Sequence, residues 1–507
     1  MNEPSQSALD MPLLSYADKR RIERVGVVDV GSNSVRMVVF DGAARSPAYF
    51  YNEKIMCALG DGLAQTGRLN PLGWDRAMKA LKRFVLLAKG MEIGPLHGVA
   101  TAAVRDASDG AAFCAQVLQE TGLNLRVASG EDEARLSAQG VLLGWPDANG
   151  LMCDIGGASM ELARISNGGV GDCISTGLGP LKLSALNPDD GSVTRTIDAA
   201  LKNLPGGFAQ ETRTLYLVGG SWRAIATLDM ARRDYPLKVL HEYKMAPADL
   251  MATLDWIDEH DVASLRAVTG SSKARMRLIP IAAQVLRALL VTFRPGVIAA
   301  SSYGIREGLL YEQMPAALRA RDPLIEACLH MESASARAPG FGKVLHAFLS
   351  PLFEDADPPR ARLIKAACLL HDVTWRAHPD YRAEVCFDNA TRANLGGLDH
   401  RGRVFLGLAL LHRYKNTGGG TVFESVVGLL DPEQRRRAKI LGKAMRFGAM
   451  LSGPSKKMMG QLVLNTAENV LELRLSPDAG DLYGEVVLAR FDSLARALEC
   501  TGRVTIH

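Results

Sequence analysis

Two stretches of the chain, 125 residues apart, are written to one pattern. Val25 to Phe40 reads VGVVDVGSNSVRMVVF and Gly150 to Ile165 reads GLMCDIGGASMELARI, with matches at Asp29/Asp154, Gly31/Gly156 and Ser34/Ser159. Each has an apolar run of strand length carrying an aspartate near its end, then a turn of small residues, then a second apolar run. Repetition of the whole unit is far less probable by chance than one glycine-rich turn, so it predicts two related domains facing each other across a cleft.

Around the repeat, strands and helices alternate, as in an α/β protein. Pro71 to Lys89, Ala111 to Glu120 and Glu131 to Leu143 have helical spacing, HGVATAAVRD begins as a strand, and LYLVGG is a strand leading into Ser221 to Ala226. Ser272 to Leu290 reads as one long helix, and GVIAASSYGIREGLLY as strand, turn and helix. Past Ser335 to Gly342 the segments become helical and Arg-rich. From Gln461 the runs LVLNTA, VLELRL and GEVVLARF alternate like strands, with a helix over Phe491 to Glu499. The expected divisions are an N-terminal extension (1–24), two domains (25–145 and 146–313), a helical domain (314–458) and a small α+β domain (459–507).

Composition narrows the class. Of 507 residues, 47% are hydrophobic and 22% charged, which excludes wholesale disorder and fibrous or disulfide-scaffold chains. Eight cysteines without a C-x-x-C pair suit reduced thiols and a cytoplasmic protein, and suggest no zinc site. The N-terminus lacks a signal peptide's apolar stretch, and the best apolar run, Ile279 to Phe293, is short and broken by Arg287, so no membrane association is expected. A net charge of +4 announces no nucleic-acid partner. Arg401 to Lys457 is the local exception, with 12 basic residues against 3 acidic.

A glycine-rich turn between strands lets backbone N–H groups and short hydroxyls converge on phosphate oxygens, and two facing turns make a clamp. Asp29 and Asp154 supply hard oxygens suited to Mg²⁺ held through carboxylates, water and substrate phosphate, or else they stabilise their turns. Glu131, Asp132 and Glu133 either contain a carboxylate that activates water or form an acidic cluster at a helix start.

The segments GVVDVGSNSVRMVVF, VATAAVRDA, ASGEDEARLSAQGV, CDIGGASMELARI, YLVGGSWRAIA and YGIREGLLY, in this order and spacing, resemble the exopolyphosphatase/guanosine pentaphosphate phosphohydrolase (Ppx/GppA) family over Val25 to Tyr311. The resemblance implies two actin-like domains of the sugar kinase and Hsp70 ATPase superfamily around a cleft. LLHDVTWRAHPDYRAEVCF resembles the helical, HD-like extension of the longer exopolyphosphatases. By the same resemblance Glu133 is the catalytic base, with Asp132 where the family has a first glutamate, and Arg105 reaches substrate phosphate. Asp154 and Asp29, together with Glu133, are implied to hold Mg²⁺. Gly31, Ser32, Asn33 and Ser34, with Gly156, Gly157, Ala158 and Ser159, are implied to cradle phosphate. Ala158 replaces a family glycine, and Asp109 stands where an asparagine is usual.

His371-Asp372 is not a complete metal site by itself, and His346, Asp399 and His400 are its candidate partners; a degenerate, structural HD-like domain is the favoured expectation. Arg435, Arg436, Lys439 and Lys443 are candidates for a polyphosphate channel, or else a solvated helix surface. The expectation is a Mg²⁺-dependent exopolyphosphatase, cytoplasmic and homodimeric. The competing readings are guanosine pentaphosphate hydrolysis, an ATP-binding actin-like module with YLVGGSWRAIA as its nucleotide loop, and a polyanion-binding regulator.

Overall fold

A computed structural model describes residues 24–41, 45–94, 96–187, 190–208, 213–270, 272–416, 423–453 and 460–506. The expected N-terminal extension, except Arg24, lies outside the described residues, as do Lys457 and the expected boundary at 458/459. The chain divides into two compact units between Asp322 and Pro323. Residues just past the expected boundary at Gln313 stay with the first unit: Arg45 Nε donates to the Arg319 carbonyl at 3.0 Å.

The first unit holds two sheets. One is built from β1 (Val25–Val30), β2 (Ser34–Phe40), β3 (Tyr49–Met56), β4 (His97–Ala100) and β5 (Leu125–Val127), in the order β3-β2-β1-β4-β5. The other comprises β6 (Gly150–Ile155), β7 (Met160–Ser166), β8 (Gly169–Thr176), β9 (Thr214–Val218), β10 (Tyr243–Met245) and β11 (Val297–Ala300), in the order β10-β11-β9-β6-β7-β8. In each, three antiparallel strands continue into parallel ones, so the second repeats the first with β10 added at its edge. The strand order is thus duplicated, as expected of two related domains. The register repeats too: Val25 pairs with Phe40, and Gly150 with Ile165. The central strand β1 is buried along most of its length, whereas edge strand β3 alternates between exposed and half-buried.

The helix Gly130–Gly144 belongs to both halves. Leu136, Val141 and Leu142 share a core with Val27, Val38 and Phe40 of the first sheet and with Met152, Ala163 and Val218 of the second. It meets the helix Ile305–Gln313 at backbone contact: a Cβ on Gly308 would lie 1.8 Å from the Leu136 carbonyl oxygen, and one on Gly140 would lie 2.3 Å from that of Gly304. The single helix expected over Ser272 to Leu290 is two, Lys273–Met276 and Ile279–Phe293. Pro280 is the reason: its missing N–H and its ring disfavour the interior of a helix but suit its first turn.

The second unit is mainly helical, with helices Pro323–Ser335, Phe341–Leu349, Pro358–Leu370, Arg382–Arg392, His400–Tyr414 and Pro432–Leu451. Its sheet contains β12 (Gln461–Asn465), β13 (Val470–Leu475) and β14 (Thr501–Ile506). GEVVLARF, read from sequence as a strand-like run, instead lies in the helix Glu485–Ala497. Val487, Phe491, Leu494 and Ala495 are its buried residues, a helical spacing that the short window of alternation concealed. This helix links the parallel strands β13 and β14, the crossover that parallel pairing requires. Among the described residues no helix is long and apolar enough to cross a membrane.

Candidate functional site

The two repeated turns close by the same bond. Gly31 N donates to Ser34 O at 3.0 Å, and Gly156 N to Ser159 O at 3.0 Å. Carbonyls in both turns are tied back to the protein. Cys57 N and Ala58 N each donate to Asn33 O at 3.0 Å, Gly60 N donates to Ser32 O at 2.8 Å, and Leu181 N donates to Gly157 O at 2.8 Å. Among the described residues the amides of Ser32, Asn33, Gly157 and Ala158 find no backbone acceptor. Fixed carbonyls with unengaged amides make a cradle for an anion. The second turn packs so closely that a Cβ on Gly179 would lie 2.2 Å from the Ala158 backbone.

Each strand-end aspartate has its own partner. Asp29 pairs with Arg306 at 3.5 Å, and Asp154 accepts a hydrogen bond from the Ser137 hydroxyl. Gly219, at φ 109°, begins the approach to the helix Gly220–Arg232, and a Cβ there would lie 2.9 Å from Asp154 Oδ1. Burial pushes both aspartates above their ordinary value; Arg306 opposes this at Asp29, and Ser137 and Arg223 oppose it at Asp154.

The acidic helix start separates its three carboxylates by role. Ser129 caps the helix, accepting from Asp132 N at 3.0 Å while Asp132 Oδ2 accepts from Ser129 N at 3.3 Å, so Asp132 belongs to a capping box. Glu131 is exposed. Glu133 is partly buried against Arg105, whose Nη1 donates to it and also to the Ala128 carbonyl at 2.9 Å. Burial first, then the negative charges of Asp154 and Asp29, push the Glu133 carboxyl up to about 7 against the pull of Arg105. Glu161 on β7 is also raised, by burial and then by Glu133 and Asp154.

The structure therefore gathers Glu133, Asp154 and Asp29 into one electrostatic group and sets Arg105 against Glu133. Among the described residues no three His, Cys, Asp or Glu side chains are gathered as a ready-made metal cluster, and Asp29, Glu133 and Asp154 have Arg306, Arg105 and Ser137 as polar partners. Asp109 holds Arg68 at 3.2 Å and the Leu69 amide at 3.0 Å, a loop-fixing role. Three participants are absent from the expected set. Glu161 lies 125 positions after Arg36 and so is legible from the repeat, Ser137 follows Glu133 by one helical turn, and Arg306 follows the glycine of SSYGIREG.

The basic candidates in the second unit are largely engaged nearby. Arg435 Nε donates to the Leu430 carbonyl at 3.0 Å, Arg436 reaches Glu499 at 3.5 Å, and Lys443 binds Ser493. Lys439 is exposed.

Residues 38–317 match the Ppx/GppA phosphatase family, and residues 342–504 match the exopolyphosphatase C-terminal domain. Exopolyphosphatase 1 of Mycobacterium tuberculosis is 30% identical over 208 residues, covering 40% of this chain and 60% of the relative. The chain thus spans about 60% of the length of that relative. Retrograde regulation protein 2 of Saccharomyces cerevisiae is 27% identical over 461 residues, covering 79% of this chain and 73% of the relative. Among solved structures, an Aquifex aeolicus Ppx/GppA protein matches with a TM-score of 0.50 at 23% identity, covering 58% of this chain and 97% of the other. An exopolyphosphatase from Cytophaga hutchinsonii matches with a TM-score of 0.52 at 22% identity, covering 57% and 97%. These likenesses show a shared fold.

Proposed function

The chain belongs to the Ppx/GppA phosphatase family, and from that membership and the geometry of the two turns beside Glu133 we propose that it is an exopolyphosphatase, releasing orthophosphate from the end of inorganic polyphosphate. The observation that carries the reading is the partly buried Glu133, raised towards neutrality beside Arg105 and in one electrostatic group with the aspartates of both turns. A carboxylate with a pKa near the working pH is suited to accept a proton from water as the water attacks phosphorus.

The amides of the two turns bind and orient the terminal phosphates. Arg105 exchanges its contact with Glu133 for the phosphoryl oxygens, which frees Glu133 to take the proton and offsets charge that develops on the transferring group. Ser137 and Arg306 hold Asp154 and Asp29 in place. The hard, partly buried oxygens of Asp29 and Asp154 fit Mg²⁺, which binds through one or two carboxylates with water and substrate phosphate completing its shell. When bound there, Mg²⁺ would neutralise phosphate charge. Eight free cysteines suit a cytoplasmic location, and the family resemblance supports a homodimer.

Phosphate release from long polyphosphate, guanosine pentaphosphate and ATP, each with and without Mg²⁺, tests the reading. Release from long polyphosphate that is abolished in Glu133→Gln supports it. Turnover of guanosine pentaphosphate alone would assign the competing substrate, and no release from any of the three would leave a binding module.

A further inference from the structure

The helical unit contains a cavity of about 260 Å³ whose walls include Arg337, Phe341, His371, Asp372, Arg413 and Met450. It lies at the His-Asp pair that the sequence offered to a metal, where the Asp372 carboxylate is engaged. Arg337 takes both oxygens of Asp372, Nε to Oδ2 at 2.8 Å and Nη2 to Oδ1 at 2.6 Å. His371 Nδ1 is hydrogen-bonded to the Cys368 carbonyl at 2.8 Å, and burial beside Arg413 pushes its imidazole down to about 4. Asp399, a candidate partner, instead caps a helix by accepting from Gly402 N at 2.9 Å.

What the cavity offers is positive charge. Arg413 is only 8% exposed, and among the described residues its Nε has no hydrogen-bond partner. Its guanidinium lies 4.8 Å from the centre of the Tyr414 ring, a cation–π contact that leaves Nε without a conventional hydrogen-bond acceptor. Among the described residues Asp372 is the only acid lining the cavity, and it is already held by Arg337. Arg446 is close enough for Arg413 to lower its pKa, so a further cation shares the field. Leaving a buried, charged donor unanswered is unfavourable by roughly 1–3 kcal/mol or more, and an oxyanion with several acceptor oxygens would relieve it.

We propose that this cavity is a binding site for a phosphoryl anion, with Arg413 as its buried anchor, Arg337 as its second cation, and Phe341 and Met450 as apolar walls. The shared chemistry is a tetrahedral phosphate group, arriving as free orthophosphate or as the phosphate of a nucleotide.

Amide hydrogen exchange of the full chain, followed by mass spectrometry, tests this with inorganic phosphate, guanosine monophosphate or magnesium chloride as separate probes. Either phosphate probe is expected to slow exchange in peptides spanning Arg337 to Phe341 and His371 to Thr374. Peptides containing the turns at Gly31 and Gly156 report the cleft separately. Arg413→Met should weaken the protection about tenfold or more, the scale of a lost charge-assisted hydrogen bond. Ala449→Phe keeps every charge but fills the cavity, and should abolish protection even if Arg413→Met does not fold. Protection by inorganic phosphate assigns the free anion, and protection by the nucleotide alone assigns the nucleotide. Absence of protection with both phosphate probes, protection unchanged in a folded variant, or protection by magnesium chloride alone overturns the proposal.

Discussion

Arg36 and Glu161 occupy the same place in the two repeats: Arg36 pairs across the ladder with Asp29, and Glu161 with Asp154. One backbone pattern therefore presents a cation and a raised carboxyl at equivalent points, with Arg36 lowering the pKa of Asp29 and Glu161 held up by burial and by Glu133 and Asp154. The duplicated fold repeats the backbone, and the side chains at equivalent positions differ.

Glu133→Gln keeps the size of the side chain but cannot accept a proton, so kcat on polyphosphate should fall by about 10²–10⁴-fold. Substrate binding should persist within a few-fold. Glu131→Gln, an exposed change on the same helix, should retain near-normal turnover in the same phosphate-release assay.

The raised Glu133 carboxyl gives the pH dependence a definite sign. As a base it works deprotonated, so kcat/KM should rise as pH increases through about 7. Glu161 is raised further, to about 8, so it still holds its proton while Glu133 loses one, and Glu161→Gln should leave that rise near the same pH. Stability runs the other way: a carboxyl whose folded pKa exceeds its unfolded value favours folding less as pH climbs from about 4.5 to about 7. Glu133→Gln should therefore gain more in Tm over wild type at pH 8 than at pH 5, read by a pH series of thermal melts.

The second turn separates a functional glycine from a structural one. A Cβ on Gly157 meets only the end of the Leu181 side chain, at 2.8 Å, so Gly157→Val should fold, with Tm within a few degrees of wild type, yet lower kcat/KM at least tenfold by crowding the phosphate. Gly179→Ala drives its Cβ into the backbone of that turn and should lower both Tm and activity. Asp154→Asn should raise the Mg²⁺ concentration needed for half-maximal rate, if the aspartate holds the ion.

On the basic helix, Lys439→Ala should raise KM for long polyphosphate at low salt and leave very short chains unchanged, because each cation along a polyanion adds a salt-dependent increment. Lys443→Ala also removes the bonds to Ser493 and should lower Tm. Equal KM changes on long and short substrates would exclude the channel.

The strand pairs of the repeat, the turns and the Glu133 helix are legible in the sequence because hydrophobic spacing and small-residue turns are local signals. The cap that removes Asp132 from the chemistry is also written locally, in Ser129-Gly130-Glu131-Asp132. The partners of Asp29 are not, since Arg306 comes from a helix 277 positions away. Likewise Pro280 is visible in the sequence but is outweighed by the long apolar pattern around it, and the helical period of Glu485–Ala497 needs a wider window than its first alternating residues.

The glycine contact between the helices Gly130–Gly144 and Ile305–Gln313 has a mechanical consequence. Glu133 rides on one helix and Arg306 on the other, and with no Cβ at Gly140 or Gly308 the two rods touch backbone to backbone. Glu133 and Arg306, the partner of Asp29, thus sit on a single stiff beam, whose spacing is set by main-chain atoms instead of by repackable side chains. Substitutions among the surrounding apolar side chains would therefore leave their alignment intact.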